Sequence, residues 1–407
     1  MNEAVLIRGI ENKIEPIFTN IHQIELNNQE KVLKAFRNHQ VSDSDFNPTT
    51  GYGYDDFGRD KLEAVYASVF GAEDALVRPQ ITSGTHAIST ALFGILRPGQ
   101  ELLYITGKPY DTLNKVIGHE LHVTGSLVDF GITYRQMDLK DGKIDVEALP
   151  NVMSSKTRVI AIQRSKGYDD RPSITMDEMK QVIEKIKQID PNTVIFVDNC
   201  YGEFVETIEP TDIGADVIAG SLIKNPGGGI ARMGGYVVGK EKYVEMAANW
   251  LTAPGIGKEV GASIGMLQEM YQGLFLAPHV VSEALRGAVF TSAYLEELGY
   301  HTSPAYDTKR TDLIQSVIFQ NAEKMIAFCQ AIQKHSPINS HVSPYPAPMP
   351  GYEDDVIMAA GTFIQGASLE LTADGPIRPP YIAFVQGGLT YSHVKLAVIE
   401  AAKELIL

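Results

Sequence analysis

The chain has 407 residues, a formal net charge of −15 and hydrophobic residues at 44% of its positions. This length exceeds what one hydrophobic core usually supports, so we expect a soluble globular protein with two domains. The acidic balance disfavours nucleic acid and anionic membranes as partners.

The remaining bulk features predict a cytoplasmic protein. Two cysteines, Cys200 and Cys329, are too few for a disulfide framework or a thiolate metal site. No apolar run reaches the roughly 20 residues that a membrane helix requires, and charges interrupt residues 1–18, so we expect no membrane span or signal peptide. The ten histidines show no metal-ligand spacing such as H-E-x-x-H, and we expect no bound metal.

The first half of the chain predicts an arm followed by an α/β domain. Residues 1–45 carry apolar side chains at helical spacing, and residues 46–60 form a loop rich in glycine and aromatic residues. Short apolar segments then alternate with helical stretches such as 176–189. Seven segments are predicted strands: 75–77, 101–105, 132–136, 159–163, 194–197, 217–219 and 235–238. Most lack polar alternation, as strands buried on both faces do, so we predict a mostly parallel sheet.

The second half predicts a long helical region and then a smaller domain. Helical spacing continues from about 240 to 298, and the chain ends in a helix over 391–406. We therefore predict an arm of helices at 1–45, a large domain at 46–289 and a small α+β domain at 290–407.

A phosphate-binding turn is predicted where residues 82–87 (TSGTHA) follow a strand and begin a helix. Unpaired amides at a helix start bind anions, and Ser83, Gly84 and Thr85 would contact a phosphate there. The simpler alternative is that Ser83 only caps the helix.

Lys224 follows the apolar segment 217–219 and precedes glycines 227–229. A lysine placed there is predicted to be partly desolvated, which would lower its pKa and make its amine a nucleophile. Asp198 ends an earlier apolar strand. An aspartate can bind a pyridine nitrogen, and a lysine can form a covalent bond with an aldehyde carbon. Together they suggest the cofactor pyridoxal 5'-phosphate (PLP), bound covalently to Lys224. Ser221, three residues before the lysine, could also reach the phosphate.

Other interpretations of these motifs are weaker. Ser221 and Lys224 match S-x-x-K, but the chain lacks the S-D-N and K-T-G motifs of penicillin-recognising enzymes. Residues 236–240 match Y-x-x-x-K, but no glycine fingerprint of a dehydrogenase accompanies it. Asp198, Asn199 and Glu203 could ligate magnesium, yet the later lysine favours PLP.

The chain resembles fold-type I PLP enzymes of the Cys/Met-metabolism group. It is most similar to the cystathionine β-lyase-like "aluminium resistance" branch, also called methionine γ-lyase-related proteins. The resemblance covers nearly the whole chain. Four motifs carry it: 51–59 (GYGYDDFGR), 83–86 (SGTH), 197–199 (VDN) and 221–228 (SLIKNPGG). It implies the aspartate aminotransferase-like fold, with a large mixed sheet domain that binds PLP and a smaller C-terminal domain.

The resemblance also implies roles at matching positions. Lys224 would carry the cofactor and later move the α-proton, and Tyr110 would stack on the cofactor ring. Tyr54 would reach the phosphate of a neighbouring subunit, so the catalytic unit would be a homodimer, within an expected tetramer. Arg378 would bind the substrate carboxylate with its fork of donors.

Two positions and one segment, residues 164–168 (RSKGY), depart from the family pattern. Ile223 stands where the usual lyases have a threonine, and Asp56 stands where they have an arginine, with Arg59 as the candidate substitute.

The resulting hypothesis is a PLP-dependent carbon–sulfur lyase that acts on a sulfur amino acid by β- or γ-elimination. The alternatives are another PLP reaction, such as transamination, aldol cleavage or racemisation, and a non-catalytic PLP-binding regulatory protein.

Overall fold

The computed structural model describes residues 3–120, 122–349 and 352–406. Residues 1, 2 and 407 of the predicted terminal segments lie outside the described residues. The α-helices of the described part are α1 (Glu3–Asn38), α2 (Phe57–Val69), α3 (Gly84–Ile95), α4 (Asp111–Ile117), α5 (Leu149–Val152), α6 (Met176–Ile189), α7 (Glu241–Leu251), α8 (Leu267–Glu297), α9 (Ala322–Lys334) and α10 (Tyr391–Ile406).

Seven strands form the larger sheet: β1 (Asp74–Arg78), β2 (Glu101–Tyr104), β3 (Thr133–Gln136), β4 (Thr157–Gln163), β5 (Val194–Asp198), β6 (Val217–Ser221) and β7 (Gly235–Gly239). Their order is β1-β7-β6-β5-β4-β2-β3. Strand β7 runs antiparallel to β1 and β6, and the other pairs are parallel. The predicted strands and the mostly parallel α/β sheet are confirmed.

Helices cover both faces of this sheet. Ile218 and Val197 point into the core that includes α2 and α6. Val217 and Ala219, one residue out of phase, point into a second core with α3 and α7. Successive side chains of a strand alternate between faces, so only uniformly apolar strands satisfy both cores.

The parallel strands bring three polar residues to one edge of the sheet. Gln163 ends β4, Asp198 ends β5 and Ser221 ends β6. Gln163 lies directly opposite Asp198, and Asp198 lies opposite Ala219. The carboxyl ends of parallel strands are the usual ligand-binding edge of such sheets.

The smaller sheet is antiparallel and contains β8 (His301–Ser303), β9 (Gln315–Ile318), β10 (Val356–Ala359), β11 (Thr372–Pro376) and β12 (Ile382–Gln386), in the order β10-β11-β12-β9-β8. Helix α9 packs against it, and α10 packs against α9 and α8. The domain boundaries at 45 and 289 stay predictions, and α8 continues without a break across the second.

The predicted arm is one helix. Ile10, Ile14 and Ile21 of α1 are buried at helical spacing, and α1 packs along α8. In the described ranges, no helix has the length and apolar character needed to cross a membrane.

A buried ion pair joins β1 to α2. Arg78 Nε lies 2.7 Å from Glu63 Oε1, and both side chains are 1% exposed. Arg78 also donates to the carbonyls of Val260 and Lys258. This guanidinium therefore ties the start of the large sheet to the segment before α8.

We expect Arg78→Met to lower the free energy of unfolding by about 3 kcal/mol, because Glu63 then stays buried without its closest cation. Urea denaturation followed by far-ultraviolet circular dichroism measures the change. Arg232→Met is the control, since its ion pair with Glu269 is largely exposed on the arginine side and should contribute less than about 1 kcal/mol. Equal losses in the two variants would contradict this assignment.

Candidate active site

A cavity of about 190 Å³ lies at the carboxyl edge of the large sheet. It brings together seven of the nine residues predicted for the site: Ser83, Gly84, Thr85, Tyr110, Asp198, Ser221 and Lys224. A larger cavity of about 530 Å³ lies between α1 and α8 and is lined by none of them. The smaller cavity is therefore the candidate active site.

The start of α3 forms one wall. Ser83 caps the helix, since its Oγ accepts a hydrogen bond from the amide of His86 at 3.0 Å. Gly84 comes next, and a Cβ there would lie 3.3 Å from Cys200 Sγ and 3.4 Å from Ser221 Cβ. The first amides of a helix have no intrahelical acceptor and attract anions. Ser83 can therefore cap α3 while the other amides at the start of the helix remain available to an anion.

Asp198 also lines the cavity. The side chain is buried, and Oδ1 accepts a hydrogen bond from the amide of Cys200 at 3.1 Å. Burial raises the pKa of Asp198, while nearby Lys224 acts to lower it. A carboxyl group in this position gains from any cationic partner that enters the cavity.

Lys224 enters the cavity just before a short 3₁₀ turn, Asn225–Gly227. Burial lowers the pKa of its amine, but the ionisable groups around it, which include the Asp198 and Glu203 carboxyl groups, raise it by more, so the net pKa lies above the ordinary value. The prediction of a lowered pKa is therefore wrong. It considered desolvation alone and missed the acidic groups that the segment after β5 gathers around the amine.

Tyr110 is fixed from three sides. Its amide donates to Gln163 Oε1 at 2.8 Å, and its hydroxyl forms a hydrogen bond with that of Tyr352. The ring of Tyr168 lies 5.8 Å away, centroid to centroid. Burial raises the pKa of Tyr110 well above its usual value, so the phenol keeps its proton.

The structure does not bring Tyr54 and Arg378 into this cavity. Tyr54 is 61% exposed in the loop before α2, beside the ring of Tyr52. Arg378 Nη1 lies 3.0 Å from Asp354 Oδ2. It lines a separate cavity of about 140 Å³ with Tyr168. The roles that the family resemblance implies for both residues stay predictions.

Of the departures from the family pattern, Ile223 lines the candidate cavity, whereas Asp56 and its candidate substitute Arg59 have structural uses. Asp56 caps α2 by accepting from the amide of Arg59 at 2.9 Å. The buried Arg59 side chain donates to the carbonyls of Gly53 and Gly261. Arg59 therefore braces the loop, and neither residue lines the cavity.

Sequence reasoning missed Gln163, Tyr201 and Tyr352. Gln163 ends a predicted strand at the same edge as Asp198, so its position could have been a signal. Tyr352 contacts Tyr110 of the cavity wall from a loop of the other half of the chain, which no local pattern indicates.

In the described part of the chain, no three His, Cys, Asp or Glu side chains lie close enough together to hold a metal ion.

Comparison with known proteins shows the family to which this chain belongs. Residues 3–406 match the family model described as methionine gamma-lyase. The chain belongs to the methionine gamma-lyase family. The fold is also that of a PLP-dependent protein, YhfS of Escherichia coli, at 19% identity and a TM-score of 0.63 over 94% of this chain and 97% of the other. PLP is thus the cofactor that membership of this family indicates.

Nearer relatives cover almost the whole chain. The Bacillus subtilis protein YnbB is 63% identical over 98% of this chain and 95% of its own. A Listeria monocytogenes structure, named as a candidate cystathionine beta-lyase involved in aluminum resistance, is 58% identical with a TM-score of 0.97 over 99% of this chain and all of the other. A Clostridium novyi structure, named as a carbon-sulfur lyase involved in aluminum resistance, is 49% identical with a TM-score of 0.95 over 99% and 96%.

We expect Gly84→Val to weaken binding of PLP about tenfold, because the added side chain would push Cys200 and Ser221 apart and displace the phosphate from one amide. Equilibrium dialysis of the cofactor against the purified protein measures the change. Gly9→Val is the control, since Gly9 is a helical glycine with open space around its Cα. Unchanged affinity in the Gly84 variant would place the phosphate elsewhere.

Proposed function

We propose that the protein is a PLP-dependent carbon–sulfur lyase that acts on a sulfur amino acid. The observation that carries the proposal is the convergence of Lys224, Asp198 and the start of α3 on one cavity. The names of the Clostridium and Listeria relatives support the same class of reaction.

The residues present fit the cofactor. The N-terminus of α3, with Ser221 beside it, suits a phosphate. Gly84 supports this because its missing side chain lets the backbone approach closely. Asp198 suits a protonated ring nitrogen, since burial raises the pKa of its carboxyl group despite the opposing charges of Lys224 and Arg171. Tyr110 offers a fixed, buried ring on which the cofactor could stack.

The bound cofactor supplies an electron sink for negative charge formed at the α-carbon of an amino acid. The Lys224 amine is the group in the cavity placed to take the α-proton as a positioned base, and because its pKa is raised it would do so only from its unprotonated form. Departure of a thiol from the β- or γ-carbon, followed by hydrolysis of the resulting imine by water, would give a keto acid and ammonia. Tyr110, which keeps its proton, offers a donor on the wall of the same cavity.

We further propose that two copies of the chain form the catalytic unit in the cytoplasm. Tyr54, Tyr52 and Phe57 are exposed together in one glycine-rich loop, and exposed apolar side chains that cluster mark contact surfaces. In this arrangement, Tyr54 would complete the cavity of the other copy. Arg378 would then bind the substrate carboxylate after releasing Asp354.

We expect Lys224→Ala to abolish turnover, because the cavity loses both the covalent attachment point and the base. Ammonia and keto acid release from cystathionine, methionine and cysteine measures this. Lys242→Ala, at an exposed lysine of α7, should keep full activity. Full activity in Lys224→Ala would contradict the mechanism.

For the unchanged protein, we expect thiol, keto acid and ammonia in equal amounts from at least one of these sulfur amino acids. Serine and threonine serve as comparison substrates that carry no sulfur. Amino-group transfer or racemisation without thiol release would favour another PLP reaction. Bound cofactor without turnover of any of these amino acids would favour a regulatory role.

A further inference from the structure

Tyr201 lies directly against the amine of the proposed cofactor lysine. Lys224 Nζ is 4.1 Å from the centroid of the Tyr201 ring. The backbone of Tyr201 has φ +71°, a left-handed conformation that non-glycine residues rarely adopt. The turn after β5 therefore holds a strained conformation at the residue whose ring meets the lysine.

The ring is held from the side of the smaller sheet. Tyr201 packs against a small cluster made of Ile314, Ile382 and Phe384. Contacts from a second part of the fold thus fix the ring, so its position does not depend on the lysine alone.

The ring acts as a neutral aromatic face. Burial raises the pKa of Tyr201, and Asp374 of β11 raises it further, although Lys224 opposes them. The other ionisable groups around the amine are Asp198, Cys200 and Glu203, all from β5 and the turn that follows it. A protonated amine above a neutral ring is attracted to its negative face, and more strongly when water is excluded.

We propose that Tyr201 is a positioning residue that holds the Lys224 amine on its ring face whenever that amine is not bonded to the cofactor. The inference rests on the proposed role of Lys224. Such a rest position would keep the freed lysine inside the cavity, near Asp198, instead of letting its long side chain sample other rotamers.

The contact with the ring favours the protonated form of the Lys224 amine, so losing the contact should increase a reaction rate instead of decreasing it. Only the unprotonated amine attacks an aldehyde, so removing the ring face should make cofactor attachment faster. A merely structural defect would make attachment slower. Cofactor-free protein is mixed with PLP at about pH 8, below the pKa of a lysine, and the rate of covalent attachment is followed by visible absorbance.

We expect Tyr201→Leu to attach PLP about tenfold faster, corresponding to a shift of about one unit in the amine pKa. Tyr201→Phe keeps the ring and should match the unchanged protein. Tyr381→Leu is the matched control, because Tyr381 also has a left-handed backbone, with φ +62°. Unchanged or slower attachment in Tyr201→Leu, or an equal change in Tyr201→Phe, would overturn the proposal.

A second variant guards against misfolding of Tyr201→Leu. Pentafluorophenylalanine at position 201 keeps the size of a phenyl ring but reverses the charge of its face, so attachment should again be faster than in Tyr201→Phe. Lys224→Ala separates the two hypotheses. If PLP still attaches covalently in Lys224→Ala, Lys224 is not the attachment site. If Lys224→Ala loses attachment but the Tyr201 variants attach PLP at the unchanged rate, only the proposed role of Tyr201 fails.

Discussion

Two opposite charges held in one cavity, the Lys224 amine and the Asp198 carboxylate, are the constraint on which the rest of the site depends. Each charge alone would be costly to keep away from water. Burial pushes the pKa of Asp198 up, and the acidic groups around Lys224 push the pKa of that amine up. The Lys224 ammonium is therefore well compensated, whereas the Asp198 carboxylate still gains from a further positive charge, which suits a cofactor that carries a cationic ring nitrogen.

The fold places these charges by simple geometry. Parallel β4, β5 and β6 end at one edge, and their last residues, with the turns that follow, supply Gln163, Asp198, Ser221 and Lys224. Helix α3 directs its N-terminus at the same edge from one face of the sheet. The smaller sheet closes the opposite side through Tyr201 and Tyr168, which pack against Phe384. The site thus lies between an α/β scaffold and side chains anchored on a second sheet.

Much of this arrangement could be predicted from the sequence. The strands of the large sheet are uniformly apolar and bounded by turn residues, so their positions were found within two residues. Helices 176–189 and 391–406 were also found. Lys224, Asp198 and the SGTH turn could be joined because strand ends meet at one edge of a parallel sheet.

What the sequence did not yield depends on long-range packing. The raised pKa of Lys224 comes from ionisable groups packed around it, which include the Asp198 and Glu203 carboxyl groups, and a local pattern indicates only desolvation. Tyr352 contacts Tyr110 from 242 residues away. Arg378 was placed by family resemblance, but its position beside Asp354 depends on the loop after β11.

The most direct test of the role of Lys224 is to reduce the PLP-loaded protein with borohydride, digest it and map the labelled peptide by mass spectrometry. We expect one label per chain, on Lys224, whereas an unlabelled chain or a label on another lysine would contradict the account.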